Sequence, residues 1–365
     1  MEPWPKVGWY WIMANPFACW VAAALFALSL GLTFAAVSAT PAPLFAEDSA
    51  LDMEMDVDFA AICRNPTTGK CEDLPATIYY ADDDGARVRI DVELRTRGRW
   101  RRATSNCAIP AFFVYFDPLQ IQGTVFENQT MLPFTTHCQH YNKRYHRYAL
   151  LEYLAHRYYN LLTDASLKVR LTQTTFRDTG ASLQYQRYGF FTEHFQSVAA
   201  RIGAEFFEQD RLDPRDADAV ELVRLSVFQY MIGNLDWSVP GAHNIALFRR
   251  ENGTVVAIPY DFDYSGLVNA EYAEPPDFLH LRSVRNRKYR GFCWPGFDWN
   301  GIFAEFLAIR PAVIRLLDDL PGLDRGRHRD TTWFLNRFYK TIESPEQRQK
   351  QIIDDCRRLP PATPD

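Results

Sequence analysis

Alternating apolar and polar residues mark the first part of the chain as strand-forming. The runs ATIYY and ARVRIDVELRTRG flank the turn ADDDG, and together they predict a β-hairpin that begins at Ala76. In the second strand of this hairpin one face is apolar, with Val88, Ile90, Val92 and Leu94.

The spacing of apolar residues predicts the remaining elements. Further strands are expected over Ala111–Phe116, Leu167–Phe176, Tyr188–Thr192, Ile245–Phe248 and Thr254–Ile258. Helices are expected over Tyr148–Leu162, Asp216–Met231, Trp299–Ile309, Ala312–Leu320 and Thr331–Glu343. Between the last two strands, Asn252-Gly253 is a hairpin turn with no functional meaning of its own.

Strands dominate the first half of the chain and helices the second, an order that predicts an α+β protein in two lobes. We expect a strand-rich first lobe over residues 76–195 and a helix-rich second lobe over residues 196–350. Residues 47–75 are predicted to be a linker, and residues 351–365 a tail that ends without regular structure.

Residues 1–46 are predicted to be a targeting segment. Lys6 is the only cation before the uncharged stretch 17–39, which is long enough to span a bilayer and favours a retained anchor. Val37 and Ala39 favour cleavage by a signal peptidase, so both outcomes stay open. In either case we expect an exported protein, periplasmic or extracellular, with anchoring in the inner membrane as one alternative.

Composition and cysteine content agree with export. Among the 365 residues, 47% are hydrophobic, which is ample for a core, and the net charge of −5 gives no indication of nucleic-acid binding. Six cysteines lie outside the apolar segment: Cys63, Cys71, Cys107, Cys138, Cys293 and Cys356. An even number in an exported chain predicts disulfides. We expect Cys63 to pair with Cys71 across a short turn-like loop, and the other pairings stay open.

The segment 231–266 carries the most informative polar residues. Asp236 and Asn244 lie in a turn-rich loop after a predicted helix, and Asp261 and Asp263 directly follow the apolar run VVAIPY. For Asp236 or Asn244 alone a role in turns or caps is the better interpretation. For Asp261 and Asp263 we favour function, because two acids beside a buried strand are costly unless they meet a cation or hydrogen-bond donors. Strand alternation would direct both to the same side.

Two arginine-rich runs complete the candidate chemistry. One covers Arg95–Arg102 around Gly98, and the other covers Arg282–Arg290 around Tyr289. For any single arginine a solvated surface is the better interpretation. As groups they suit phosphate or carboxylate, because the guanidinium presents a fork of donors.

Four motifs carry a family resemblance. RTRGRW at Arg95–Trp100, YGFFTEHF at Tyr188–Phe195, GNLDWS…HN at Gly233–Asn244 and PYDFDYSG at Pro259–Gly266 together resemble the CotH kinase family, spore-coat-protein-H-like proteins with an atypical protein-kinase-like fold. The similarity covers about residues 90–291 and is closest to exported bacterial members.

The resemblance implies ATP as donor, Mg²⁺ or Mn²⁺ as cofactor, and an unknown protein or cell-envelope acceptor. Asp236 would take the place of the catalytic-loop acid, which orients or deprotonates a hydroxyl. Asn244 and Asp261 would hold metal, with Asp263 as a second ligand. The acid that pairs with a nucleotide-binding lysine would be Glu152 or Glu193.

The chain departs from a kinase in two respects. No lysine lies on the strand 111–116, and Lys143 and Lys168 are the remaining candidates. There is no glycine-rich phosphate loop either, and Arg97-Gly98-Arg99 is the nearest substitute for contact with the nucleotide. These departures leave a degenerate, non-catalytic member as an alternative.

Other activities are less well supported. Asp261-Phe262-Asp263 also matches the DxD pattern of a glycosyltransferase, but no doubly wound βαβ series precedes it. Motifs of serine hydrolases and zinc proteases do not occur. His243 could be a ligand, although a single loop histidine more often forms hydrogen bonds within a turn.

Overall fold

Seven strands of this protein close into a barrel. The computed structural model describes residues 42–64, 73–98 and 100–359. The barrel strands are β1 (Leu51–Val57), β2 (Leu74–Ala81), β3 (Arg87–Thr96), β4 (Phe112–Phe116), β5 (Met131–Thr135), β6 (Val169–Asp178) and β7 (Leu183–Thr192). Their order is β1-β2-β3-β4-β5-β7-β6, and β6 returns to β1 in a parallel pair while the other neighbours are antiparallel.

The barrel interior is filled with apolar side chains from alternate strand positions. The predicted hairpin is confirmed, since β2 and β3 pair antiparallel. Ile90, Val92 and Leu94 are buried on its apolar face, and Phe134 and Phe191 pack across from them in the same core. Period-two burial is therefore what aligns the strands around the barrel.

The predicted two-lobed, kinase-like fold is wrong. The strands of the first half form a closed barrel instead of the open first lobe of a kinase. The closing element is β1, which lies in the segment predicted to be a linker and pairs with β2 on one side and β6 on the other. Its sequence, LDMEMDV, alternates apolar and acidic residues, and this strand signal was overlooked.

Three further strands form a separate small sheet. They are β8 (Ala204–Phe207), β9 (Ile245–Arg250) and β10 (Val255–Pro259), in the order β10-β9-β8. The predicted hairpin of β9 and β10 is confirmed, and Gly253 adopts a positive φ of 84° in its turn.

The α-helices of the described residues lie mainly in the second half of the chain. They are α1 (Lys143–Asn160), α2 (Phe195–Ile202), α3 (Ala219–Ile232), α4 (Trp299–Asp318), α5 (Arg325–Glu343) and α6 (Pro345–Arg348). α1 begins five residues earlier than predicted, because the Asn142 side chain caps it by accepting from the backbone N–H of Arg144. The two helices predicted around Pro311 are one continuous helix, α4.

Two disulfides are present within the described residues. Cys107 is bonded to Cys138, and Cys293 to Cys356, pairings that the sequence left open. Cys63 is also disulfide-bonded, and its predicted partner, Cys71, lies outside the described residues. Disulfides of this kind fit an oxidising, exported environment.

The predicted targeting segment lies outside the described residues, apart from its last five positions. None of the helices that the structure describes combines the length and the apolar character that crossing a bilayer requires. The predicted division into domains stays a prediction.

Candidate functional site

The predicted acids meet in a cleft made of two adjoining cavities. The charged pocket has a volume of about 320 Å³ and is lined by Asp236, Asn244, Asp261 and Asp263 among others. The second cavity, called the apolar pocket below, has a volume of about 350 Å³. Polar side chains such as Glu193, His194 and Glu208 line part of it, and its apolar lining residues are Phe113, Met131, Pro133, Leu167, Phe195, Phe206 and Tyr260. The two pockets share Arg97, Glu152 and Asp261, so they adjoin at these three residues, and we call them together the cleft.

A larger groove, of about 690 Å³, runs over the outer surface of the barrel. Its acids, such as Asp56, Asp91 and Asp117, lie on strands or in turns. The residues that line this groove include no lysine, arginine or histidine. We place the candidate site in the smaller cleft, because acids, arginines and apolar walls converge there.

Asp261 and Asp263 differ in their surroundings although both reach the charged pocket. Asp263 is 6% exposed, and its carboxylate accepts hydrogen bonds from Arg101 (2.9 Å) and from the Tyr272 hydroxyl (3.0 Å). Asp261 faces the open space of the cleft and adopts a left-handed φ of 61°. The strand β10 ends at Pro259, so this turn, and not strand alternation, brings the two acids together.

The Asp261 carboxylate lies in an unfavourable electrostatic environment. Desolvation in the cleft raises its pKa well above the ordinary value, and the neighbouring carboxylates of Asp263 and Glu152 raise it further. Although solvent reaches one side of the group, protein surrounds the rest of it. A bound cation would stabilise the ionised form of a carboxyl group in this environment.

Glu152 and Asp263 are joined by Arg101, a member of the first arginine-rich run. Arg101 donates to Glu152 (3.0 Å) and to Asp263 (2.9 Å), and all three side chains are largely buried. Burial alone would lower the pKa of Arg101, but Glu152 and Asp263 raise it well above its usual value. Burial raises the pKa of Glu152, and Arg101 opposes that shift.

Arg97 lies where the two pockets meet. Its guanidinium donates to the Thr135 hydroxyl (2.8 Å), while its Nε is buried without a partner among the described residues. Burial lowers the pKa of Arg97, and the nearby Asp261 carboxylate opposes the shift. Arg97 is therefore a cation that lines both pockets. Arg99 lies outside the described residues.

Of the two glutamates proposed for a nucleotide-binding lysine, neither pairs with a lysine within the described residues. Glu152 pairs with Arg101, and Glu193 pairs with Arg201 (2.7 Å). Glu193 also accepts from the backbone N–H of Lys168 (3.1 Å), so it ties α2 to the start of β6. The Lys168 ammonium lies 3.6 Å from Asp164, an exposed residue away from the cleft.

Asp236, His243 and Asn244 form a hydrogen-bonded group at the rim of the charged pocket. The Asp236 Oδ1 lies 2.9 Å from the His243 Nε2, and its Oδ2 accepts from the Asn244 amide at 3.1 Å. The same amide donates to the Asp236 backbone carbonyl (2.8 Å). The Asn244 side-chain oxygen accepts no hydrogen bond from the described residues, and it remains available to a ligand.

A buried histidine also lines the cleft and was missed in the sequence. His156 follows Glu152 by one helical turn on α1, so both face the same side, a spacing that could have identified it. Burial, followed by the charge of Arg97, lowers the pKa of His156 to about 3. The imidazole is consequently neutral at physiological pH.

The second arginine-rich run does not contribute to the cleft. Arg285 donates to the Gly266 carbonyl (3.0 Å) and pairs with Asp330 (2.9 Å). Arg287 donates to the carbonyls of Tyr230 (3.0 Å) and Phe334 (2.7 Å). These arginines stabilise loops and the end of α3, so we do not assign them to phosphate binding.

The donors in the cleft fit a cation only in part. Within the described residues, no group of three or more His, Cys, Asp or Glu side chains is arranged to hold a metal ion. Asp261 and the Asn244 oxygen are the two oxygen donors still open to a ligand. Mg²⁺ commonly uses one or two carboxylates and takes its other ligands from water and substrate phosphate, so this set fits a cation that arrives with a nucleotide.

Comparisons with known proteins add little to this description. No protein-family model matches the chain, and no curated protein matches it. Among solved structures it is similar to the proinflammatory kinase CtkA of Helicobacter pylori, with a TM-score of 0.33 and 12% identity over 67% of this chain and 88% of that chain. A likeness of this size carries no argument, and membership of the CotH kinase family is not shown by these comparisons.

Proposed function

We propose that this protein is an exported phosphotransferase that moves a phosphoryl group from ATP, with Mg²⁺ or Mn²⁺, to a hydroxyl of a protein or cell-envelope acceptor. The observation that carries the proposal is that the two pockets adjoin. A pocket with apolar walls lies beside a pocket of acids and arginines, and the two share Arg97, Glu152 and Asp261. A nucleoside triphosphate has the same division into an apolar base and a charged end.

The apolar pocket would hold the base. Its aromatic and aliphatic side chains, including Phe113, Met131 and Phe206, offer the contact surface that a planar base requires. Its volume of about 350 Å³ is within the range of small-molecule sites, at roughly 300–1,000 Å³. Arg97 lies at the passage to the charged pocket, where the first phosphates would arrive.

The charged pocket would hold the phosphates and the cation. Asp261 and Asn244 would be the ligands of the cation. Asp263 would act mainly by positioning Arg101, which donates to its carboxylate. When bound, the cation would neutralise charge on the transferring phosphoryl group. Arg97 and Arg101 replace the lysine that a kinase uses, because a guanidinium also donates to phosphate oxygens.

Asp236 would serve the acceptor side of the cleft. It lies in the loop after α3, with a side chain that is 36% exposed, and therefore within reach of an incoming hydroxyl. Its hydrogen bonds to His243 and Asn244 fix the carboxylate in place. This separation of roles assigns binding to Asp261 and turnover to Asp236.

The test is calorimetry and turnover with ATP and Mg²⁺ or Mn²⁺. Asp261→Asn should abolish metal-dependent nucleotide binding, because an amide lacks the charge that the cation requires. Its melting temperature should not fall, since the substitution removes a carboxylate that Asp263 and Glu152 repel. Asp236→Asn should bind nucleotide like the parent and lose turnover.

The matched control is Asp83→Asn, which changes an exposed acid in the β2–β3 turn and should alter neither property. Tight metal–nucleotide binding by Asp261→Asn would contradict the proposal. The second candidate function is nucleotide binding without turnover, and the full occupation of Asp263 by Arg101 and Tyr272 favours it. Binding without turnover in the parent would establish that alternative.

A further inference from the structure

Asp236 and His243 form a carboxylate–imidazole pair in which the imidazole is the group free to react. The His243 Nε2 lies 2.9 Å from the Asp236 Oδ1, and 57% of the His243 side chain is exposed. An ionised carboxylate can only accept, so the ring nitrogen that faces it must be the one that carries the proton. The other nitrogen, Nδ1, then holds a lone pair, and it has no hydrogen-bond partner among the described residues.

The carboxylate itself is the more fully occupied of the two groups. One of its oxygens receives His243 and the other receives the Asn244 amide (3.1 Å). A carboxylate that aligns an imidazole fixes its tautomer and stabilises the cation that forms when the imidazole accepts a proton. The arrangement therefore resembles a base with its orienting acid more than a lone carboxylate base.

Backbone hydrogen bonds in the loop after α3 place His243 beside Asp236. Ser238 and His243 form an antiparallel bridge, with hydrogen bonds from the Ser238 N–H to the His243 carbonyl (3.0 Å) and from the His243 N–H to the Ser238 carbonyl (2.9 Å). The turn between them is closed by the Gly241 N–H, which donates to the Ser238 hydroxyl (3.2 Å). The imidazole thus extends from hydrogen-bonded backbone and lines the charged pocket.

The charged groups that share the pocket define the surroundings of this imidazole. Asp236 contacts it directly, Arg101 enters from the segment after β3, and Asp261 and Asp263 enter from the segment after β10. Arg101 already pairs with Asp263, so Asp236 is the acid that His243 meets at hydrogen-bond distance.

We infer that His243 is the catalytic base that removes the proton of the acceptor hydroxyl, with Asp236 as its positioning residue; this inference rests on the proposed phosphotransfer. The His243 Nδ1 takes the hydroxyl proton while the acceptor oxygen forms a bond to the terminal phosphorus of the nucleoside triphosphate. The bond between that phosphorus and the bridging oxygen breaks, and a nucleoside diphosphate leaves with the electron pair. The imidazolium then returns the proton to solvent.

The experiment compares two histidine–aspartate pairs in the full chain. His243→Gln keeps an amide that can bond to Asp236 but cannot accept a proton, and we expect its turnover of ATP with Mg²⁺ to fall about 10²-fold with unchanged nucleotide affinity. The matched control is His328→Gln, because the His328 Nε2 lies 2.8 Å from the Asp318 Oδ1, away from the cleft. This control should keep the parent's turnover.

Chemical rescue separates a base from a structural histidine. Added imidazole should restore part of the turnover of His243→Ala and none of that of Asp236→Asn. Retention of the parent's turnover by His243→Gln, with nucleotide binding intact, would overturn this assignment alone. A parent that transfers no phosphoryl group would overturn the proposed function, and this assignment with it.

Discussion

The two arginine-rich runs of this protein are both dense in arginine but differ in their surroundings. In the first, Arg101 lies between the carboxylates of Glu152 and Asp263. In the second, Arg287 is buried against backbone carbonyls, of which Tyr230 and Phe334 are two. The partner, and not the arginine, therefore decides whether a run forms part of a reactive cleft or stabilises a helix end.

The difference shows in the pKa values as well. Burial lowers the pKa of Arg287 to about 9, because neutral carbonyls compensate only part of the lost hydration. The carboxylates around Arg101 more than reverse the same effect of burial. The charges of Arg101, Glu152 and Asp263 thus depend on one another, whereas Arg287 is held by uncharged carbonyl groups.

The largest expected effect is that of removing Arg101. Arg101→Met leaves Glu152 and Asp263 as buried carboxylates without a cation, and we expect a loss of about 3–5 kcal/mol in the free energy of unfolding at pH 7.5. The loss should shrink at pH 5, because burial raises the pKa of Glu152 and so favours its protonated, uncharged form as the pH falls. Urea unfolding at both pH values measures this, and a loss that is equal at both would contradict the network.

The second effect concerns Arg287 and should not depend on pH. Arg287→Met removes the guanidinium that donates to the carbonyls of Tyr230, Met231 and Phe334, at an expected cost of about 2–3 kcal/mol. Since carbonyls do not titrate, the cost should be the same at pH 5 and pH 7.5. The matched control is Arg282→Met, an exposed residue of the same run, which should change stability by less than about 0.5 kcal/mol.

The third effect is a loss of stability at low pH, which we attribute to His156 in the cleft. The folded protein keeps His156 neutral down to about pH 3, whereas an unfolded histidine takes up a proton near pH 6.5. The unfolded state therefore binds more protons between these values, so the contribution is complete above pH 6.5 and decreases as the pH falls. We expect about 2 kcal/mol to be lost from this residue between pH 6.5 and 5.

His156→Phe checks the origin of that loss, because a phenyl ring can pack against Phe190 and Phe262 as the imidazole does. The variant should show a shallower decrease in unfolding free energy over the same pH range. Burial also keeps the pKa of His137 low, so part of the acid dependence should remain. An unchanged slope in the variant would assign the whole effect to other groups.

The smallest expected effect tests how Arg97 is held. Thr135→Val removes the hydroxyl that accepts from Arg97 at 2.8 Å while keeping the shape of the side chain. We expect a loss of about 1 kcal/mol in unfolding free energy. Nucleotide affinity should fall several-fold if Arg97 contacts phosphate, and isothermal titration calorimetry would measure both the parent and the variant. No change in affinity would exclude Arg97 from the phosphate site.

Local structure was largely determined by the sequence. The β2–β3 hairpin, the helix α1 and the β9–β10 hairpin follow from apolar periodicity and turn residues that act over a few positions. The association of Asp236, Asn244, Asp261 and Asp263 was also predicted from a short segment, and all four line one pocket. The sequence predicts such features because the residues involved lie close together along the chain.

Only the tertiary structure decided how the strands close and which charges meet. The parallel pairing of β1 with β6 joins residues more than 100 positions apart, and no local pattern specifies such a partner. The same holds for Arg101, which lies 162 residues before Asp263 in sequence and 2.9 Å from it in the fold. An arginine at the surface and one buried between two carboxylates look alike in a sequence, because burial and charge pairing are properties of the packed chain.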